Sequence, residues 1–198
     1  MTRLAARAEA HKLGQALNLG QSALKNLETL PAERLRDLRL GLYETLSRFD
    51  ARLFLRIAAL FRRLPILLVV WVARLAGPLL TARVAGDMPA RRAARMAQRL
   101  PAAFVADVCR YLDPRCAPDL IHALPSATIL PIALELVRRR DWITTGRFVD
   151  FLDDTSIRAV LEHVDDDESL LRIAFYVESR NRLDHVVRLM PPERLRRA

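Results

Sequence analysis

The segment from Leu64 to Ala82, LPILLVVWVARLAGPLLTA, constrains this chain most: its nineteen residues carry one charge, Arg74, with two prolines and one glycine. A straight bilayer crossing takes about 20 predominantly apolar residues. Here the apolar run between Arg63 and Arg74 is ten residues, and the run between Arg74 and Arg83 is eight. A crossing would put Arg74 near the bilayer centre, at about 2.5–3.5 kcal/mol on insertion scales. Pro65 and the pair Gly77-Pro78 also interrupt a helix near both ends. The pattern points away from a plain transmembrane span. Two readings stay open: an interfacial or hairpin-like membrane contact, and a helix buried in this protein's own core or a partner's.

Arg52, Arg63 and Arg74 recur every eleven residues, which is three helical turns. With Arg56 they form one basic stripe on an unbroken helix. The other faces carry Phe54, Leu55, Ile57, Leu60, Phe61, Leu67, Val70 and Trp71. A wide apolar surface with a guanidinium stripe suits a helix lying in a headgroup layer. Arg52, Arg56, Arg63, Leu67, Val70, Trp71 and Arg74 are therefore the candidate membrane- or partner-binding residues. Pro65 lies inside this stretch and resets the helical phase if it restarts the helix.

The wider composition favours a nearly all-α chain, because Leu, Ala and Arg dominate and β-branched residues are scattered. The net charge of +9 is uneven. Residues 1–99 hold 18 Lys/Arg against 7 Asp/Glu, and residues 100–198 hold 14 against 16. Basicity thus accompanies the apolar stretch, which favours an anionic membrane surface over nucleic acid. The N-terminal MTRLAARAEAHKLGQAL has no short apolar signal core, so the expected location is cytoplasmic, with peripheral membrane association.

Residues 3–27 and 32–60 read as amphipathic helices, and Gly86-Asp87-Met88-Pro89 closes the apolar region. The expected organisation is a basic helical arm over 1–86, containing the hydrophobic segment 64–82, then a repeat domain over 87–198. Breaks at Leu100-Pro101, Leu124-Pro125, Leu152-Asp153 and Met190-Pro191 each end one helix and open another. A longer echo runs from Ile132 to Leu152 and again from Ile173 to Met190. Units of this kind bury their apolar faces only by stacking. We expect at least five stacked helices beyond residue 100, an α-superhelix whose stack is incomplete at its C-terminal side. Its inward positions are Leu112, Leu120, Leu124, Leu136, Phe148, Leu152, Leu161, Ile173 and Leu189.

The Leu-Pro-Pro-Glu-Arg-Leu type of break resembles the cytosolic N-terminal domain of MgtE-type magnesium transporters, over Leu100–Ala198 with a further match at Leu30–Leu35. That resemblance implies a right-handed α-superhelix, and a domain that senses magnesium through acidic side chains at domain interfaces. Transport is not implied, because neither the nucleotide-binding-like module nor the five-helix membrane domain of that family is visible here.

Chemistry-bearing residues are sparse. Asp165, Asp166, Asp167 and Glu168 offer carboxylate oxygens of the kind hard cations take, and equally a loop and N-cap for a helix starting near Ser169. The segment Asp141–Phe148 places Trp142, Thr144, Thr145 and Arg147 together, as a contact loop or a structural turn. His11, His122, His163 and His185 have no paired nucleophile, and Ser156 and Ser169 sit where serine caps helices. Cys109 and Cys116 lack metal-site spacing and read as reduced cysteines in or near a core. No catalytic residue and no cofactor is expected. The reading is a scaffold or adaptor binding a protein partner or a second copy, held at a membrane or other apolar surface. A magnesium-sensing module and a nucleic-acid-binding helical protein are the alternatives.

Overall fold

Proline and aspartate punctuate the chain into short helices. The computed structural model describes residues 2–17, 27, 29–48, 59, 61 and 63–190, and every regular element among them is helical. They fall into two units, Met1–Leu53 and Phe54–Ala198. The first holds α1 (Thr2–Leu17) and α2 (Ala32–Arg48). The second holds α3 (Ile66–Ala76), α4 (Pro78–Asp87), α5 (Ala90–Ala97), α6 (Ala102–Tyr111), a 3-10 turn (Pro114–Cys116) and α7 (Pro118–His122). It continues with α8 (Ser126–Arg138), α9 (Trp142–Val149), α10 (Asp154–His163), α11 (Asp167–Ala174) and α12 (Arg180–Leu189).

Helix starts follow two chemistries. Pro65, Pro89, Pro101 and Pro125 precede α3, α5, α6 and α8, with extended ψ between 128° and 145°. Their carbonyls accept the first helical bonds, while the fixed ring ends the preceding segment. Asp141, Asp153, Asp166 and Ser179 precede α9, α10, α11 and α12, and each side chain accepts a backbone N–H of the first turn.

In the first unit α1 packs on α2. Ala6, Ala10, Leu13 and Leu35 form the seam, and the small alanines permit close approach. Glu9 is buried there and accepts from Lys12 Nζ at 3.2 Å and from Arg39 Nε at 3.1 Å.

The second unit is a two-row ladder. Along one row α4 touches α6, α6 touches α8, α8 touches α10, and α10 touches α12. In the other row α3 touches α5, α5 touches α7, and α9 touches α11. Apart from a gap between α7 and α9, each helix packs on the helix two along, so the structural repeat is a helix pair. The breaks at Pro101, Pro125 and Asp153 open α6, α8 and α10, successive members of one row. The echo of Ile132–Leu152 in Ile173–Met190 joins α8–α9 to α11–α12, three helices apart, and so does not mark the packing repeat. Similar apolar spacing on any two amphipathic helices produces such an echo.

One apolar core runs through α3 to α8, from Val69, Ala73, Ala82 and Val84 to Leu112, Leu120 and Leu136. This corrects the boundary expected after residue 86: the apolar segment 64–82 is part of the repeat unit's core, and that unit begins at Phe54. Of the positions expected inward, Leu112, Leu120, Leu136, Leu161 and Ile173 are buried, while Leu124, Phe148, Leu152 and Leu189 are half-buried.

Candidate docking surface

The apolar stretch folds back on itself. α3 and α4 are 11 and 10 residues long and meet at Gly77, whose φ of 85° and ψ of 170° suit glycine almost alone. Thr81 Oγ1 donates to the carbonyls of Ala73 (3.0 Å) and Gly77 (2.8 Å). On one straight helix residues eight apart are separated by about 12 Å of rise, so this bond exists only because the chain turns. The 22-residue run Ile66–Asp87 is long and apolar enough to cross a membrane, by length and composition only. Its arms measure about 16 and 15 Å at helical rise, about half the hydrocarbon thickness of about 30 Å. The folded geometry is a corner.

The corner has a packed side and an open side. Val69 and Ala73 are buried, with Ile66 and Val70 packed against the same core. Facing away, Leu67 is 71% exposed, Trp71 59% and Leu75 68%, with Leu68, Leu79 and Leu80 also exposed. Leu67, Trp71, Arg74 and Leu75 share about 100° of the α3 circumference, so Arg74 sits within the open apolar face. Its aliphatic stem can lie along that face while the guanidinium reaches water. Arg63 is exposed too, but the chain bends at Leu64-Pro65 and α3 restarts at Ile66. Arg63 and Arg74 therefore do not share one unbroken helix, which corrects the continuous stripe. Arg52 and Arg56 lie outside the described residues. Val70 leaves the open face for the core. Leu68, Leu75, Leu79 and Leu80 were not among the expected contacts, although Leu75 shares the helical phase of Leu67 and Trp71.

The segment read as a contact loop or a structural turn forms a core helix. Thr144, Thr145 and Arg147 are buried in α9, and Trp142 is half-buried. Asp141 caps the helix by accepting from Thr144 N, and Thr145 Oγ1 donates to Asp141 O at 2.9 Å. Arg147 Nη2 donates to Leu112 O at 3.3 Å and lies 4.0 Å from Asp113 Oδ1, tying α9 to the end of α6. Asp113 also accepts from Arg115 Nη2 at 2.6 Å. Burial pushes the Asp113 carboxyl up, but the Arg115 hydrogen bond and charge, with the Arg147 charge, outweigh it and hold the group below its ordinary range.

The acidic run acts as a cap. Asp166 accepts from Glu168 N and Ser169 N at 3.1 and 3.2 Å and from the Ser169 hydroxyl, and Glu168 pairs with Arg172. Asp165 is exposed. Asp167 is half-buried, and its Oδ1 has no hydrogen-bond partner at the edge of an apolar cavity of about 230 Å³ lined by α8 to α12. Among the described residues no group of three or more His, Cys, Asp or Glu is placed to hold a metal ion. Cys109 is buried in α6, where desolvation raises its thiol to about 12 against the lowering charge of Arg147, and Cys116 is exposed.

No protein-family model matches the chain, and neither a curated protein nor a solved structure matches it.

Proposed function

We propose that this protein is a non-catalytic helical adaptor that docks at a membrane surface through the open face of the α3–α4 corner and offers its helical ladder to a protein partner. One observation carries the reading: six large apolar side chains, Leu67, Leu68, Trp71, Leu75, Leu79 and Leu80, stand exposed on one corner while its opposite side is packed into the core. Exposed leucines scattered singly are ordinary on protein surfaces; Leu67, Trp71 and Leu75 instead recur along one face of α3, and such a grouping marks a contact site.

The test is flotation with lipid vesicles. In a Trp142→Phe background, Trp71 is the only tryptophan, and its emission should shift to the blue on binding. Leu67→Ser with Leu75→Ser should abolish flotation and shift while leaving the melting midpoint near that of the parent, because both side chains face outward. A parent chain that never floats, and whose Leu67→Ser/Leu75→Ser form changes only self-association, would make the corner a contact between copies.

A further inference from the structure

Arginines are used differently in the two parts of the ladder. From α6 onward seven of the eleven described arginines pair with a carboxylate, and Arg140, Arg158, Arg180 and Arg188 form no such pair among the described residues. Arg139 reaches Asp107 at 2.6 Å, Arg110 reaches Asp141 at 3.3 Å, and Arg182 reaches Asp154 at 3.3 Å. Before α6 the balance of charge differs. Residues 63–99 contain seven arginines and one acid, Asp87. Among the described residues Arg63, Arg74, Arg91, Arg95 and Arg99 form no ion pair with a carboxylate. All five are exposed.

Three of them make a ridge. Arg91 and Arg95 stand one turn apart on α5, and Arg99 in the following turn folds back so that its Nη1 donates to Arg95 O at 3.4 Å. The opposite side of α5, Ala93, Ala94 and Met96, is buried. Arg92 does not join the ridge: it is half-buried and donates to Leu64 O at the entrance to α3. That bond and the packing of α5 on α3 hold the ridge one helix away from the open apolar corner.

We infer that α5 and the α3–α4 corner form one site for anionic phospholipid, in which Arg91, Arg95 and Arg99 take the headgroup phosphates while Leu67, Trp71 and Leu75 enter the acyl boundary. This rests on the docking reading above and supplies its ligand class. Guanidinium forks match phosphate oxygens in pairs, and among the described residues five exposed guanidiniums without a carboxylate partner, on and next to the helices that carry the exposed apolar face, complement an anionic interface better than a nucleic acid, whose contacts are dominated by charged phosphates. Each basic residue near an anionic surface is worth about a fivefold gain in affinity, so removing the ridge should cost about 100-fold.

The experiment uses the whole chain and two vesicle compositions at low salt: phosphatidylcholine alone, and phosphatidylcholine with one-third phosphatidylglycerol. The inference expects much tighter binding to the anionic vesicles. Arg91→Gln, Arg95→Gln and Arg99→Gln together should weaken that binding about 100-fold and leave binding to phosphatidylcholine unchanged. If the triple variant melts early, Arg95→Gln alone should cost about fivefold. Equal binding to both vesicles, or an unaltered variant, overturns the lipid assignment and leaves the docking reading standing. Absence of binding to either vesicle overturns both. A DNA duplex bound as tightly as the anionic vesicles, and still bound after Leu67→Ser and Leu75→Ser, would make the ridge a nucleic-acid surface instead.

Discussion

Gly86 and Gly146 both lie in helices, yet replacing each with alanine should act in opposite directions. Around Gly86 a Cβ would meet nothing within 4 Å. There the lower chain entropy of alanine dominates, and Gly86→Ala should stabilise by about 0.5–1 kcal/mol. At Gly146 a Cβ would stand 2.6 Å from Tyr176 Cβ and 2.8 Å from Ile173 O, so α9 and α11 meet there almost backbone to backbone. The helix-propensity gain of about 1 kcal/mol is outweighed by overpacking that reaches main chain, and Gly146→Ala should destabilise by about 1–3 kcal/mol net. Thermal melts of the two variants measure the contrast; equal shifts would refute it. The sequence shows Gly146 next to a cap and two threonines, but not that another helix lies against it, because the partner is 30 residues away. That is why Thr144, Thr145 and Arg147 could be read as a contact loop or as a structural turn, and not as part of a buried helix.

Asp113 carries a pH signature. Its folded-state carboxyl is held below the ordinary value by Arg115 and Arg147 despite burial. A depressed carboxylate stabilises the fold fully above its unfolded pKa of about 3.9 and loses that contribution as pH falls through the lower folded value. The difference in melting midpoint between the parent and Asp113→Asn should therefore be constant above about pH 5 and shrink below about pH 4. A difference that stays constant down to pH 2.5 would remove Asp113 from the acid response.

At the scale of elements, punctuation was the legible part. Pro101, Pro125 and Asp153 were readable as helix starts because a proline ring or a carboxylate acts within one turn of itself. The direction in which each helix leaves its start was not readable. The α3–α4 corner shows this best: Gly77-Pro78 announces an interruption, while the fold-back needs the positive φ of Gly77 and the Thr81 bond to Ala73. Gly77→Ala forces a side chain into a region that costs about 1–3 kcal/mol, with no offsetting contact, since nothing lies within 4 Å of its Cβ position. The melting midpoint should drop by about 2–4 °C per kcal/mol, and Trp71 binding to vesicles should weaken with it. An unshifted midpoint would mean that the corner does not need glycine.

At the scale of the molecule, the apolar stretch was legible as important but not as to which half it serves. Its composition set it with the basic arm, whereas Val69, Ala73, Thr81, Ala82, Val84 and Ala85 are buried at the start of the ladder. Truncation separates the two views. A fragment of residues 54–198 should melt cooperatively. A fragment of residues 87–198, cut at the boundary suggested by composition, exposes the faces of α5 and α6 that α3 and α4 cover, and should melt without a cooperative transition. Two fragments with the same cooperative melt would return α3 and α4 to the arm.

The ladder's pairing also bears on how the chain assembles and yields. The main contacts of the ladder join a helix to the next or the next but one, so they close short loops. Topologies of low contact order fold fast, and stacked units propagate from a nucleus to the next pair. Such a chain can form behind the ribosome in step with synthesis. Pulled from its ends, it should give way pair by pair along a staircase of small force drops, starting at α12, which contacts α10 and buries no residue fully. As a tether between a membrane and a partner it would behave as a compliant spring.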